Sequence, residues 1–285
     1  MYSDWLGIRN KWRIINFALK EERFTLTIAE MTQILGHPKY ERPLEQIWAD
    51  LTCEKLKRLL SQQNYLTYFD ANYPRLLKEI ADPPLFLFYE GDISLLDQHL
   101  LGVVGARAMT SYGVQVVQKL VPEMVKNNYV VLSGLARGVD SFSHQMAIQA
   151  HGKTIGVLGT GIERCYPKEV LALYQEMKQN HLIISEFPYG SKVYRYNFPL
   201  RNRIIAGLCE GLCVIEAKEK SGSLITAKLA LENGREVFAI PGEILKPSSM
   251  GCLRLIQDGA KCVLSFQDIL EELPVKTWRI GATKK

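Results

Sequence analysis

Hydrophobic positions along the chain follow two different periods, and the change between them falls near residue 80. In the first eighty residues apolar side chains recur at steps of three and four, as in WRIINFALKEERF and LEQIWADLTCEKLKRLLSQQ. That spacing predicts amphipathic helices, which the Gly36-His37-Pro38 break separates. Leu44, Ile47, Trp48 and Leu51 make one apolar stripe along the second helix.

Beyond residue 80 short, continuous apolar runs replace this pattern. Asp82-Pro83-Pro84 is a stiff connector, and LFLFY after it predicts a first strand. The later runs are LLGVVG, YVVLSG, TIGVLG, HLIISEF, GLCVIEA, EVFAIPG and AKCVLSF, and helical patterns near 111–127, 138–150, 167–179, 222–233 and 251–258 alternate with them. Strands that are apolar throughout are typical of a parallel sheet covered on both faces. We therefore predict an α/β fold with a doubly wound sheet after a helical domain.

Composition excludes several classes of protein. The chain has 285 residues, of which 47% are hydrophobic and 23% charged, as in globular proteins. No run approaches the length of a membrane span, and MYSDWLGIRNKWRIINF lacks a signal cleavage site. Six cysteines include no CxxC pair and no histidine cluster accompanies them, so we expect reduced thiols in a cytoplasmic protein rather than a metal site.

Positive charge is concentrated in one third of the chain. The net charge is +5, and residues 101–203 hold twelve basic and six acidic side chains. This asymmetry indicates an anionic partner, without identifying it.

Glycines recur where the predicted strands end. Ligands of doubly wound sheets bind at the carboxyl ends of the strands, and backbone without a Cβ allows a phosphate to approach. Each glycine also fits an ordinary strand–helix turn, but five such loops at one edge, two with an arginine, favour a phosphate-rich ligand. The candidate phosphate-cradling residues are Gly105, Gly134, Arg137, Gly138, Gly161, Gly222 and Ser223.

Catalytic motifs do not accompany these loops. The chain has no GxGxxG fingerprint, GxSxG elbow, HExxH pair or Walker lysine motif. Asp140 stands at a helix start, where capping and dipole stabilisation explain an acid. We therefore expect phosphate binding with no catalytic residue and no cofactor.

The stretch YRYNFPLRNR, residues 194–203, combines three arginines with three aromatic residues. Single-stranded nucleic acid is bound by a cationic track with aromatic faces for unpaired bases. Tyr196 and Phe198 also fit as core residues and Asn202 as a helix cap. Its position after the strand HLIISEF places the stretch on the glycine edge and favours the binding interpretation.

Several motifs in order resemble the DprA (Smf) family of DNA-processing proteins. They are GVVGARAMTSYG, VVLSGLARGVDSFSHQMAIQAHGKTIGVLGTGIERCYPK, FPLRNRIIAGLCEGLCVIEAKEKSGSLITAKLALENGREVFAIPG and GCLRLIQDGAK, spanning about 85–270. The resemblance implies an extended Rossmann-like domain at 81–285 after a helical domain at 1–80, similar to a sterile alpha motif.

The resemblance also implies a function without catalysis. Members bind single-stranded DNA that enters in natural transformation, protect it, and load the RecA recombinase onto it in place of single-strand-binding protein, a further expected partner. Members act as homodimers. The family motifs imply DNA contacts at Arg107, Lys168, Arg195, Asn202 and Arg203.

One departure lies in the last glycine loop, where Gly251-Cys252-Leu253-Arg254 replaces the family's more polar run. That region resembles the self-association face of the family, so Leu253, Ile256 and Cys262 are candidate dimer residues, with ordinary packing as the alternative. The winged-helix domain of many relatives is not expected, because the sequence ends in KTWRIGATKK.

Two rival functions stay open at the same edge. Glu216 or Glu219, before Ser221-Gly222-Ser223, could serve a nucleotide phosphoribohydrolase of the lysine-decarboxylase-like type. A regulatory sensor that binds a small nucleotide is the other.

Overall fold

The computed structural model describes residues 6–23, 25–50 and 60–273. Within them the chain forms a nine-stranded sheet in the order β1-β2-β6-β5-β4-β3-β7-β8-β9. The strands are β1 (Asn64–Thr67), β2 (Phe86–Gly91), β3 (Leu100–Val104), β4 (Val130–Ser133), β5 (Thr154–Leu158), β6 (Leu182–Ser185), β7 (Gly211–Val214), β8 (Glu236–Ala239) and β9 (Lys261–Cys262). Strands β3 to β9 pair in parallel, whereas β1 with β2 and β2 with β6 pair antiparallel.

The helices follow the strands in alternation from β3 onward. They are α1 (Ile8–Lys20), α2 (Ile28–Leu35), α3 (Glu41–Asp50), α4 (Arg75–Lys78), α5 (Ser111–Lys126), α6 (Val139–Gln149), α7 (Leu171–Asn180), α8 (Asn197–Leu208), α9 (Gly222–Glu232), α10 (Met250–Gln257) and α11 (Phe266–Glu272). Short 3₁₀ turns occupy Pro38–Tyr40, Ile93–Asp97 and Lys168–Val170. Within the described ranges no helix combines the length and apolarity that crossing a bilayer requires.

The sheet is covered on both faces. Alternate residues along the apolar strands point to opposite sides, so each strand contributes to two cores. Helices α4, α8, α9 and α10 pack on one face, and α5, α6, α7 and α11 pack on the other. The predicted doubly wound, mostly parallel α/β fold is therefore confirmed.

The N-terminal helices form a small core of their own, to which Ile14, Met31 and Leu35 belong. Helix α1 also contacts the sheet region, since the Trp12 indole nitrogen donates to the Pro83 carbonyl oxygen at 2.9 Å. The predicted helical start of the chain is confirmed for the described residues. Residues 51–59, which include Leu51 and Cys53, and the side chains of residues 47–50 lie outside them.

The sheet begins before the boundary that the sequence predicted near residue 80. Strand β1 pairs with β2 in the register Asn64 to Tyr89 and Thr67 to Phe86. Helix α4 then contacts α8 through Leu77, which is fully buried. The segment from residue 64 to residue 80 is thus built into the α/β part of the molecule.

The strand order creates a crevice at one edge of the sheet. Neighbouring strands β3 and β7 continue into helices α5 and α9, which lie on opposite faces. Such a switch point separates the two connecting loops and opens a binding crevice at the carboxyl ends of the strands. The loops after β3, β4 and β5 and the start of α8 meet at this place.

Candidate nucleic-acid interface

Two adjoining cavities of about 410 and 340 Å³ lie at the carboxyl edge of the sheet. Both are lined by Arg107, Ala136, Phe198 and Arg201, so they form one groove divided by these side chains. We call it the edge groove. The first cavity adds Gly105, Asp140, Asn202, Ser221, Gly222 and Ser223, and the second adds Arg137, Gly159, Tyr166 and Pro167.

An exposed cation stands over an aromatic ring at the division of the groove. The Arg107 guanidinium carbon lies 6.0 Å from the centre of the Phe198 ring. The Tyr166 ring lies 5.5 Å from Phe198 on centroids and is 51% exposed. A Cβ on Gly159 would lie 2.8 Å from the Phe198 ring, so this glycine makes the space for it. The groove thus offers a phosphate-binding charge beside apolar ring faces.

A buried arginine forms the floor of the groove. Arg201 is 5% exposed, donates to the Val157 carbonyl oxygen, and donates from Nε to Asn202 Oδ1 at 3.1 Å. Burial lowers the Arg201 pKa to about 10, and attraction to Asp140 opposes that shift. Arg201 is therefore still a cation at neutral pH. Burial raises the pKa of Asp140, and the Arg201 charge opposes that shift in turn.

A buried histidine supports the loop after β4. His144 Nε2 lies 2.6 Å from the Gly134 carbonyl oxygen, and Nδ1 lies 2.5 Å from Thr154 Oγ1. Burial lowers the His144 pKa to about 4, so the ring is neutral at pH 7. Gly134 also leaves room for Asp140 and Arg201, both of which a Cβ at this position would meet. These contacts of His144 therefore hold the loop after β4 in place.

Most glycines of the predicted phosphate loops are explained by contacts within the protein. A Cβ would meet Val139 at Gly105 and Glu163 at Gly161. Gly138 has φ 78°, and a Cβ there would collide with the Ala106 carbonyl oxygen. Gly222 differs, because nothing lies within 4 Å of its Cβ position. It begins α9 beside Ser223, whose hydroxyl lies 2.6 Å from that of Ser221.

The structure brings most of the predicted DNA-contacting residues to this side of the molecule. Arg107 and Lys168 are exposed, and Lys168 follows Tyr166 and Pro167 of the groove wall. Asn202 lines the groove, and its Nδ2 lies 3.5 Å from the Gly222 carbonyl oxygen. Arg195 is exposed two residues before α8. Arg137 lines the groove, but its guanidinium is paired with Glu169.

Arg203 lies elsewhere, contrary to the sequence prediction. It is 7% exposed, and its Nη2 donates to Glu186 Oε1 at 2.7 Å while Nη1 donates to the Leu200 carbonyl oxygen. A buried arginine that is held by a carboxylate stabilises the fold, and removing either partner would leave an uncompensated charge. Arg203 is not available to a ligand in the groove.

The sequence pattern predicts no role for Arg201 and leaves Phe198 open between base stacking and the core. The side chains of Arg201 and Phe198 line both cavities of the edge groove. The signal was present in YRYNFPLRNR, but spacing along a helix could not tell which arginine faces the groove and which faces Glu186.

The candidate dimer residues lie away from the groove strands. Leu253 and Ile256 on α10 are half-buried, and so is Cys262 on the edge strand β9. Ile256 packs against the main core, whereas the neighbouring Leu264 is 74% exposed.

The two candidate catalytic glutamates are engaged in contacts within the protein. Glu216 is 3% exposed and accepts hydrogen bonds from the backbone N–H and the hydroxyl of Thr110, the residue that caps α5. Glu219 lies on the surface, with its carboxylate 3.9 Å from Arg254 Nε. Glu216 therefore stabilises a helix start.

The family model for DNA recombination-mediator protein A matches residues 64–274 of the chain. The chain belongs to this family. The matched region begins at β1 and covers the whole α/β part, including every residue of the edge groove.

Two relatives in this family are similar to the chain over about three quarters of their length. DNA processing protein DprA of Bacillus subtilis (strain 168) is 47% identical over 226 residues, 77% of this chain and 76% of that protein. DNA processing protein DprA of Streptococcus pneumoniae (strain ATCC BAA-255 / R6) is 49% identical over 203 residues, 71% of this chain and 72% of that protein.

Two solved structures of family members resemble the fold. The X-ray structure of DprA from Streptococcus pneumoniae has a TM-score of 0.87 and 38% identity over 95% of each chain, so the likeness includes the N-terminal helices. A structure of DNA processing protein A from Helicobacter pylori has a TM-score of 0.67 and 30% identity, over 75% of this chain and 99% of that one. The latter is described as giving insight into a unique single-stranded DNA binding mode of that protein.

Proposed function

We propose that the protein binds single-stranded DNA in the edge groove, protects DNA that enters in natural transformation, and loads the RecA recombinase onto it. The observation that carries this proposal is the exposed Arg107 guanidinium over the Phe198 ring, in a groove at the switch point of the sheet. Relatives named as DNA-processing proteins, one of them described by its single-stranded DNA binding mode, support it.

The proposed contacts divide between backbone and bases. Phosphates bind Arg107, Lys168, Arg195 and Asn202, while unpaired bases stack on Phe198. The open approach at Gly222 lets a phosphate reach the start of α9, an eleven-residue helix whose N-terminus favours an anion. Contacts of this kind do not depend on base identity and weaken with salt.

A binding function without catalysis is part of the proposal. The rival phosphoribohydrolase needs a free carboxylate beside the glycine loop, and Glu216 is already hydrogen-bonded to Thr110. We expect Glu216→Gln to leave oligonucleotide binding intact and to destabilise the protein by about 1 kcal/mol, because the acceptor loses its charge. Urea unfolding measures the loss. Release of base from a nucleoside monophosphate by the wild type, abolished by this substitution, would establish the rival.

Assembly and partners complete the proposal. The protein forms a homodimer through the surface of Leu253, Ile256 and Cys262, and acts in the cytoplasm with RecA and single-strand-binding protein. We place the limit between its two domains before β1, because β1 belongs to the sheet. The N-terminal helices then form the first domain, with the core described around Ile14.

Recombinase loading is tested on a strand coated with single-strand-binding protein. The wild type should speed the assembly of RecA on that strand, and a variant with alanine at Arg107 and Lys168 should not. RecA assembly on uncoated strands in the presence of the same variant is the control, because it shows whether the variant inhibits RecA itself. Equal RecA assembly with and without the wild-type protein would refute the loading function.

A further inference from the structure

A third cavity, of about 680 Å³, lies between the start of helix α1 and the loop that leads into α8. We call it the α1 cleft. Its lining includes Arg9, Asn10, Asp82, Tyr194, Tyr196 and Leu200. None of these residues lines the edge groove. The cleft therefore has its own lining, which the N-terminal helices and the α/β part form jointly.

Two tyrosines stack in parallel at this cleft. The rings of Tyr194 and Tyr196 are 5.1 Å apart on centroids and inclined by only 10°. They are 41% and 61% exposed. The pair thus places two exposed aromatic rings at the mouth of a cavity. Flat, unpaired groups such as nucleobases bind such a face by stacking, whatever the base.

The charges around the tyrosine pair are mainly positive. Arg195 and Lys192 are exposed in the same loop. The Arg9 side chain is 84% exposed, and its Nε is 3.1 Å from Asp82 Oδ2. Asp82 is the acid in the lining and is opposed by Arg9. A ligand with flat apolar faces and negative charge matches this arrangement, which is the chemistry of single-stranded nucleic acid.

The cleft is continuous with the edge groove along the chain. Asn197, the first residue of α8, lines the cleft, and Phe198, the next residue, lines the groove. A strand that extends from Phe198 past the start of α8 would lie beside the loop of the stacked tyrosines. This continuity selects an extension of the same DNA strand as the occupant.

We infer that Tyr194 and Tyr196, together with Arg9 of helix α1, form a second binding subsite for bases and phosphates of a single strand held in the edge groove. The inference rests on the proposed function, because the groove supplies the first part of the strand. It also gives the N-terminal helices a role in DNA binding through one named side chain. The subsite matters only for strands long enough to reach beyond the groove.

The test compares short and long oligomers on the full-length protein. Thymidine oligomers of about six and about twenty nucleotides report on the groove alone and on the groove with the cleft. Replacing Tyr194 and Tyr196 by alanine should weaken binding of the long oligomer at least about fivefold, which is the lower end of what one stacked base contributes. Short-oligomer binding should stay unchanged, which also shows that the variant is folded.

Matched controls separate the cleft from general surface effects. Phenylalanine at both positions keeps the rings and should bind the long oligomer like the wild type. Tyr189→Ala removes a 49% exposed tyrosine of the same loop and should change nothing. Arg9→Ala should weaken binding of the long oligomer and leave binding of the short one unchanged. Lys20→Ala, about 16 Å away at the other end of α1, should change neither.

The possible results distinguish this inference from the proposed function. Unchanged long-oligomer affinity in the double alanine variant would overturn the subsite and leave the edge groove untouched. Altered RecA loading with unchanged DNA affinity would also overturn it and mark the tyrosines as a protein contact. Failure of the wild type to bind either oligomer would refute the proposed function itself.

Discussion

Replacing Arg107 by alanine is the perturbation that bears most directly on the edge groove. The side chain is exposed at the division between the two cavities and lies over Phe198. Among the described residues its side chain makes no hydrogen bond or ion pair, so the substitution should leave the fold intact. What it removes is one positive charge aimed at the groove.

The expected loss follows from the contacts that the guanidinium can make. A hydrogen bond to a charged group contributes about 1.5–3 kcal/mol. A loss of about 2 kcal/mol raises the dissociation constant about thirtyfold, since each 1.4 kcal/mol is a factor of ten. Loss of one phosphate contact on a single strand should also lower the slope of log affinity against log salt by about 0.7.

Fluorescence anisotropy of a labelled oligomer, repeated at several salt concentrations, measures both quantities. Lys119→Ala is the matched control, because Lys119 is an exposed cation on α5 outside the groove lining. It should leave both affinity and slope near the wild-type values. An Arg107→Ala variant that binds as tightly as the wild type, with the same slope, would refute the placement of phosphates at Arg107.

The other predictions concern stability, the open glycine and assembly. The pKa of His144 is lowered from 6.5 to about 4, so the unfolded state takes up a proton first as the pH falls. The free energy of unfolding, measured with urea, should therefore drop by roughly 3 kcal/mol between these two pH values. The His144→Gln variant should not show this drop. Gly138→Ala should lower the free energy of unfolding by about 1–3 kcal/mol, because the residue has a positive φ. Gly222→Ala should change it by less than about 0.5 kcal/mol but should weaken oligomer binding. Equal effects of the two substitutions on stability would contradict the geometry. Leu264 is exposed two residues after Cys262 of the proposed dimer surface, so Leu264→Glu should give a folded monomer by light scattering and circular dichroism. Leu231→Glu, on the exposed side of α9, should stay a dimer, and a dimer in the Leu264 variant would relocate the interface.

Regular elements could be predicted from the sequence because their signals are local. The strand–helix alternation after residue 99 needed only apolar runs and periodicity, and the observed helices Ser111–Lys126 and Gly222–Glu232 agree with the predicted ranges within a residue or so. Strand Asn64–Thr67 escaped prediction, since it is four residues long and only Leu66 is buried. Its partner in the sheet decides its conformation.

The position of the site could be predicted more readily than its residues. Carboxyl ends of parallel strands meet at one edge, so the glycine loops and Arg107 were placed together in advance. Arg201 and Arg203 are two residues apart in the same helix, and their roles depend on tertiary partners. Glu186, which follows β6, forms an ion pair with Arg203. Arg201 instead donates a hydrogen bond to Asn202 and is attracted by the charge of Asp140.

The function of most glycines also required three dimensions. Gly105, Gly134 and Gly159 accommodate Val139, Arg201 and Phe198, side chains that are distant in sequence. From the sequence alone, Gly105 and Gly134 were predicted to cradle phosphates. Only the open surroundings of Gly222 distinguish it as a glycine that a ligand can approach.

Binding in the edge groove should be selective for unpaired strands. Competition of unlabelled single-stranded and duplex oligomers of the same sequence against a labelled single strand tests it most directly. We expect the single strand to compete far better, whatever its sequence, and the preference to disappear when Phe198 and Arg107 are both replaced by alanine. Equal competition by duplex and single strand, or a preference that survives the double replacement, would contradict it.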